Sequence, residues 1–191
     1  MRTNANSPTP IVPYVLDGIR TLASRFRSRR ITPIVPAFST TDECGREIDV
    51  RPYRETDFGA LVGMYDSFET TQRAQGVPPL GTEAIEEWLS DVLDGPDVLA
   101  CCDDRIVGHV SLVPDGTGRH ELMIFVHQDY QRAGIGSRLL AGGLGQARRA
   151  GVEHVWLSVE KWKRYQQRLY SRAGFSVVNP MGVAHRMSRT L

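Results

Sequence analysis

The chain has 191 residues, of which 41% are hydrophobic and 24% are charged, and its formal net charge is +1. A chain of this length and composition can bury a full hydrophobic core, so these values exclude a disordered chain and a fibrous protein. No apolar run approaches the roughly 18 residues that are needed to cross a bilayer, so no membrane span is expected.

The three cysteines are Cys44, Cys101 and Cys102, an odd number without a CxxC pair. Adjacent cysteines on a strand point to opposite faces, so neither a disulfide framework nor a zinc site is predicted. This pattern favours a reducing, cytoplasmic setting and a protein without a metal.

The charged residues are segregated along the chain. Residues 1–46 carry a balance of +4, residues 47–129 a balance of −12, and residues 130–191 a balance of +9. Such segregation indicates either two charged ligands of opposite sign or two solvated faces.

Residues 1–46 differ in composition from the remainder. Five prolines break any long element. Between them, apolar residues lie on one face of a short basic helix: Val15, Leu16, Ile19, Leu22 and Phe26. We interpret 1–46 as an N-terminal extension to a domain at 47–191. The extension could dock on the domain, touch an anionic surface, act as a targeting segment, or have no activity of its own.

From residue 48 the apolar periodicity predicts regular elements in the order β-α-α-β-β-β-α-β-α-β-β. Strands are predicted at 48–53, 97–102, 105–114, 120–127, 154–159, 175–178 and 183–191. Helices are predicted at 56–68, from 82 to near 95, at 135–150 and at 162–173. In the last helix, Trp162, Tyr165, Leu169 and Tyr170 form the predicted inner stripe. The glycines at 142, 143 and 145 predict that the third helix approaches a sheet closely.

A glycine-rich turn, QRAGIG at residues 131–136, lies between a predicted strand and a predicted helix. Unpaired backbone N–H groups at a helix N-terminus bind phosphate or pyrophosphate, although glycines also serve tight turns. A dinucleotide-binding GxGxxG motif is disfavoured because Leu139 occupies the third glycine position, and a mononucleotide-binding P-loop is disfavoured because the chain has no GxxxxGK[ST] string.

Two motifs resemble those of the GNAT superfamily of acyl-CoA-dependent N-acetyltransferases. Residues 126–136 are similar to motif A, [QR]xxGx[GA] after a strand, and residues 169–175, LYSRAGF, are similar to the family pattern LYxxxGF. The predicted element order also agrees over about three quarters of the chain. The resemblance implies an α+β fold with α/β/α layers and a mixed, central splayed sheet of six to seven strands flanked by about four helices.

The resemblance also implies a site. A pantetheine arm would lie between two splayed strands, and a turn would wrap the pyrophosphate. The implied cofactor-binding residues are Ile124, Phe125, Val126, Gln131, Arg132, Ala133, Gly134, Ile135, Gly136 and Ser137. Tyr170 matches the tyrosine that protonates the departing CoA thiolate. Glu121 could relay a proton from the acceptor amine, or it is a solvated strand carboxylate. Lys163 and Ser158 depart from the family, which has asparagine and, in some members, a glutamate base at these positions.

We therefore expect an enzyme that transfers acetyl from acetyl-CoA, its co-substrate, directly to a primary amine in a ternary complex without a metal. The acidic balance of residues 47–129 favours a cationic acceptor, either a protein lysine or a small amine. A silent acyl-CoA-binding or sensing module is the alternative. Nucleic-acid binding through residues 1–46 is a third hypothesis, which predicts a steep salt dependence, but no nucleic acid is expected as a partner. A homodimer is left open.

Overall fold

The computed structural model describes residues 30–69, 71, 77–179 and 182–191. The basic helix predicted within residues 15–26 lies outside these ranges. The strands are β1 (Phe38–Thr41), β2 (Glu47–Pro52), β3 (Asp97–Cys102), β4 (Arg105–Pro114), β5 (His120–Val126), β6 (His154–Glu160), β7 (Ser176–Asn179) and β8 (Ala184–Thr190). The helices are α1 (Phe58–Asp66), α2 (Thr82–Val92), α3 (Ile135–Arg149) and α4 (Arg164–Arg172).

The described strands form one mixed sheet in the order β1-β2-β3-β4-β5-β6-β8-β7. Neighbouring strands are antiparallel except β5 and β6, which are parallel. Helices cover both faces, so the predicted fold class and layers are confirmed, with eight strands in place of six to seven.

The additional strand is β1, which lies within the segment predicted to be an extension. It pairs with β2 from Phe38 opposite Val50 to Thr41 opposite Glu47. This finding corrects the boundary at residue 46, since residues that precede it complete the sheet. A four-residue Phe-Ser-Thr-Thr strand carries too little apolar alternation to be predicted on its own.

The chain before β1 also packs on the domain. The Ile34 N–H donates to the Ala141 carbonyl at 2.9 Å, and the Ile31 side chain is buried. A side chain at Gly145 would collide with the Ile34 carbonyl. The described part of the predicted extension, from residue 30 onward, is therefore integral to the core.

Helix α3 approaches the sheet as closely as its glycines predicted. A Cβ at Gly142 would lie 2.7 Å from Val50 Cγ1, and one at Gly143 would lie 2.7 Å from Val110 Cγ1. Because real side chains cannot approach so closely, both glycines are needed for α3 to pack against β2 and β4. The conformational cost of glycine in a helix is offset by this packing.

The start of α4 differs from the prediction. The helix begins at Arg164 rather than at 162, because residues 161–163 form a turn in which the Lys163 N–H donates to the Glu160 carbonyl. Trp162 is 66% exposed and Tyr165 is 49% exposed, so neither belongs to the inner stripe. Only the Leu169 and Tyr170 part of that stripe faces the core.

Helix α1 also begins later than predicted. A single 3₁₀ turn at Glu55–Asp57 precedes it, and Asp57 rather than Thr56 occupies the N-cap. The Asp57 carboxylate accepts the Arg54 N–H and forms a two-pronged ion pair with Arg51, both contacts at 2.7 Å.

None of the helices in the described residues is long and apolar enough to span a membrane.

Candidate active site between the splayed strands

The central feature is a gap between β5 and β6. The two strands pair only at His120 with Val155 and at Glu121 with Trp156. Beyond these pairs β5 continues against β4 as far as Val126, while β6 continues against β8. The edge of β5 that faces β6 after Glu121 has no strand partner among the described residues. Such an edge offers backbone N–H and C=O groups to an extended polar ligand.

The three predicted gap residues, Ile124, Phe125 and Val126, line this edge. The Ile124 and Val126 side chains pack on the core beneath α3. The Phe125 ring lies on the opposite face, 5.5 Å from the Tyr65 ring. Their side chains are engaged in packing, so what the strand offers in the gap is backbone.

The glycine-rich turn lies at the open end of the gap and leads into α3. Gly134 is its N-cap, with φ of +83°, and Arg132 also has a positive φ, of +62°. A Cβ at Gly136 would meet only ordinary contacts, the nearest 3.8 Å away. Packing within the described protein therefore does not explain glycine at 136, whereas a ligand close to the backbone would.

Side chains of the same turn hold its shape. The Gln131 amide donates to the Val126 carbonyl at 3.0 Å, which ties the turn to the end of β5. The Arg132 guanidinium lies 4.4 Å from the centre of the Tyr165 ring. Ala133 and Ile135 are buried, and Ser137 is half-buried.

The turn between β1 and β2 packs against the glycine-rich turn and hydrogen-bonds to it. Sequence reasoning missed this contact. The Glu43 N–H donates to the Ala133 carbonyl at 3.0 Å. The Arg46 guanidinium pairs with Asp42 at 2.7 Å and lies 4.4 Å from the centre of the Tyr130 ring. The available signal was the spacing of Asp42 and Arg46 across Gly45, which is typical of a tight turn.

A polar cavity of about 530 Å³ opens beside the turn. It lies between the segment before β1 and the start of α3. Three guanidinium-bearing residues line it together with turn residues: Arg30, Arg138 and Arg172, with Ala133, Gly134, Ile135 and Ser137. Asp42 and Glu43 also line it, and Asp42 is already paired with Arg46. The three arginines therefore outnumber the carboxylates, which suits an anionic ligand that reaches the N-terminus of α3.

Tyr170 lies on α4, on the face of the sheet that α3 covers. Its side chain is buried, and its ring centre is 6.1 Å from that of Phe175. Burial raises the pKa of Tyr170 to about 12. The hydroxyl therefore keeps its proton throughout the physiological pH range.

Glu121 lies where β5 and β6 separate, on the other face of the sheet. It shares this face with Phe125 because side chains two apart on a strand point the same way. Its side chain is half-buried, and burial raises the pKa of Glu121, while the Arg186 charge acts in the opposite direction. The two predicted catalytic residues, Tyr170 and Glu121, therefore lie on opposite faces of the sheet.

The two residues that depart from the family pattern are also placed. Lys163 pairs with Glu160 at 2.6 Å, so its ammonium group is engaged within the protein. Ser158 is exposed on β6, directly opposite Arg186 of β8.

A buried polar chain under Phe125 is the second feature that sequence reasoning missed. The Tyr65 hydroxyl lies 2.8 Å from His109 Nδ1, and His109 Nε2 lies 2.9 Å from Asp97 Oδ1. All three side chains are buried, and burial, with a smaller effect of the Asp97 charge, raises the pKa of Tyr65. His109 lies opposite Phe125 in the β4–β5 register. A histidine in the middle of an apolar strand was the available signal.

Comparison with known proteins gives a consistent result. The acetyltransferase (GNAT) family matches residues 61–175. A mycothiol acetyltransferase from Propionibacterium freudenreichii subsp. shermanii is 30% identical over 133 residues, which cover 66% of this chain. The match spans only 42% of that relative's length.

Solved structures share the fold. The GNAT domain of S. lividans PAT matches with a TM-score of 0.69 at 18% identity, covering 81% of this chain and 97% of that domain. The putative acetyltransferase yncA from Salmonella typhimurium, solved with its cofactor acetyl-CoA, matches with a TM-score of 0.63 at 22% identity. That match covers 75% of this chain and 94% of yncA.

Proposed function

The chain belongs to the acetyltransferase (GNAT) family, and on that premise we propose that it transfers an acetyl group from acetyl-CoA directly to a primary amine in a ternary complex. The observation that carries the proposal is the unpartnered edge of β5 leading into the turn at Gly134. An extended thioester arm and its pyrophosphate need a free strand edge and a free helix N-terminus side by side.

In this proposal acetyl-CoA lies along the gap. Backbone groups of residues 124–126 hydrogen-bond the pantetheine arm, and residues 131–137 surround the pyrophosphate with backbone N–H groups. The arginines of the adjoining cavity add positive charge close to the phosphates. The yncA structure, which is described with acetyl-CoA as its cofactor, supports acetyl-CoA as the co-substrate.

The reaction needs one bond to form and one to break. The amine nitrogen attacks the thioester carbonyl, and the C–S bond breaks as the C–N bond forms. A backbone N–H of β5 stabilises the charge that develops on the carbonyl oxygen. Holding both substrates in the gap supplies much of the acceleration. Glu121 takes the proton that the amine loses, directly or through water.

Tyr170 stabilises the departing thiolate in this scheme. Its pKa of about 12 lies well above the roughly 8.5 of a thiol, so complete proton transfer would leave an unfavourable buried phenolate. The hydroxyl therefore acts chiefly as a hydrogen-bond donor to the developing thiolate, which takes its final proton from water.

The acceptor is a cationic amine in this proposal. The exposed face of α2 carries four carboxylates, at Glu83, Glu86, Glu87 and Asp91. They attract ammonium groups towards this side of the sheet and raise the rate of encounter. The proposal keeps the reducing, cytoplasmic setting predicted from the cysteine pattern.

The decisive experiment is a thiol-release assay with acetyl-CoA and a panel of amines. The panel contains polyamines, amino acids, aminoglycosides, lysine peptides and peptides with free N-termini. We expect amine-dependent thiol release, and calorimetry should detect binding of acetyl-CoA but not of ATP. Tight acetyl-CoA binding without turnover on any amine would identify a sensing module instead.

A further inference from the structure

Four side chains form an open floor on the face of the sheet opposite α3 and α4, where β5 and β6 separate. They are Glu121 of β5, Trp156 and Ser158 of β6, and Arg186 of β8. The strand register sets Glu121 beside Trp156 and Ser158 beside Arg186. Glu121 and Trp156 are half-buried, whereas Ser158 and Arg186 are exposed. A substrate can therefore reach this floor without displacing a helix among the described residues.

The Arg186 guanidinium is held over the floor by stacking. It lies 3.7 Å from the centre of the Trp156 ring. The indole is fixed in turn, because Trp156 Nε1–H donates to Asp115 Oδ2 at 2.9 Å. Asp115 also accepts the backbone and side-chain donors of Thr117, which hold its pKa down at about 2 and keep it ionised. A stacked guanidinium loses little further freedom when it binds a planar anion.

Arg186 and Glu121 carry opposite charges that are close but unpaired. Within the described ranges no carboxylate oxygen lies within 4.0 Å of the Arg186 guanidinium, and no cationic nitrogen lies that close to Glu121. Strand β6 separates their two strands by about 10 Å in all. By contrast, the Arg51 guanidinium and the Asp57 carboxylate are paired at 2.7 Å.

We propose that Arg186 is an anion subsite for the acceptor, and that the acceptor is an amino acid whose carboxylate lies close to the amine that is acetylated. The inference rests on the proposed acetyl transfer at the gap. The acceptor bridges the two open charges, with its amine towards Glu121 and its carboxylate on the Arg186 fork. A guanidinium binds a carboxylate through two parallel hydrogen bonds, which orients the amine as well as holding it. Amines that lack a nearby carboxylate leave Arg186 unused.

The test compares acceptors that differ only in the carboxylate. Several amino acids are each assayed beside their carboxamide and their decarboxylated amine, with kcat/KM measured by thiol release. We expect kcat/KM for the amino acid to exceed kcat/KM for both analogues by about tenfold or more, the scale of one charge-assisted contact. Arg186→Gln should lower kcat/KM for the amino acid to the value for its carboxamide, and it should change kcat/KM for the carboxamide by less than about twofold. Arg149→Gln removes the same charge at the exposed C-terminal end of α3, and it should change kcat/KM for neither the amino acid nor its carboxamide.

The outcomes separate this inference from the function on which it rests. Equal use of amino acid and carboxamide by the unchanged protein would overturn the subsite while leaving acetyl transfer in place. So would an Arg186→Gln protein that loses activity equally on both, because that is the pattern of a structural residue. Acetyl-CoA binding with no turnover on any amine would remove the proposed function and the subsite together. Partial retention of the amino acid preference by Arg186→Lys would support the subsite, since that variant keeps the charge but loses the planar fork.

Discussion

On the face of the sheet covered by α3 and α4, the candidate cofactor site consists of backbone: a free strand edge, a glycine-rich turn and a helix N-terminus. On the other face, the candidate acceptor site consists of side chains from strands that are neighbours in the sheet but lie far apart in the sequence. In the proposed function the first arrangement binds the parts that every acyl-CoA shares, so little of it depends on side-chain identity. In the proposed function the second determines which amine is used, so that choice would change with single side chains.

The largest expected effect lies on the acceptor face, in the buried polar chain. His109→Ala removes the partner of both Tyr65 and Asp97 and leaves a buried carboxylate unpaired. Leaving a buried carboxylate without its hydrogen-bond partner costs about 3 kcal/mol or more, which chemical denaturation should detect. Tyr65→Phe is the matched control, because it removes only one neutral hydroxyl and should cost about 1 kcal/mol. Equal losses of unfolding free energy in the two variants would show that His109 does not stabilise the buried Asp97 carboxylate.

The next effect concerns the hydrogen bond that Tyr170 is proposed to donate on the cofactor face. Tyr170→Phe keeps the ring and its packing on Phe175, so acetyl-CoA affinity and thermal stability should change little. The value of kcat should fall by about 100-fold, the scale of losing one hydrogen-bond donor to a developing negative charge. The loss should grow with a poorer leaving thiol. Full turnover with a lower melting temperature would instead make Tyr170 a packing residue.

The pH dependence of this effect follows from the direction of the shift. Because burial raises the pKa of Tyr170 to about 12, its hydroxyl is protonated at all pH values up to that region. Tyr170 should therefore contribute no alkaline decline in kcat between pH 7 and 10. A decline in that interval that disappears in Tyr170→Phe would contradict the proposed role.

The contrast between the faces also explains what sequence alone can predict. The family, the N-acetyltransferase class and the fold class are confirmed, because Gly134 and Tyr170 lie in short contiguous motifs on strongly periodic elements. The hairpin strands at 97–102 and 105–114 have the predicted bounds. Strand β1 was missed because its stability comes from pairing with β2 rather than from its own residues.

The acceptor face resists prediction for a different reason. Asp97 meets His109 only through the β3–β4 register, and Arg186 meets Trp156 only because β8 pairs beside β6. These contacts join residues 12 and 30 positions apart, and no local pattern encodes them. Trp162 was predicted to be buried because its spacing fits a helix, but a turn at 161–163 directs it outwards.

A third prediction concerns the backbone of the cofactor turn. Gly134→Ala places a side chain at a φ of +83°, where an L-residue costs about 1–2 kcal/mol. If ligand binding needs this conformation, acetyl-CoA affinity should fall by about tenfold, as calorimetry would show. Gly151→Ala is the control, since it has a φ of +79° at the end of α3 and open space around it. Equal effects on affinity in both variants would assign the loss to general destabilisation.

The smallest expected effect is a gain in acetyl-CoA affinity, and it concerns the Glu43 carboxylate beside the glycine-rich turn. A Cβ at Gly134 would lie 3.3 Å from Glu43 Oε1, so this exposed carboxylate lies beside the place proposed for the pyrophosphate. A carboxylate beside the turn would repel a bound pyrophosphate, whereas the Glu43 N–H that donates to the Ala133 carbonyl belongs to the backbone and survives substitution. Glu43→Gln should therefore tighten acetyl-CoA binding by about two- to threefold at low salt, with the gain fading as salt rises. Glu47→Gln, an exposed change on β2, should leave affinity unchanged. Weaker binding in Glu43→Gln would mean that the carboxylate supports the turn, and the cofactor face would then depend on side-chain identity after all.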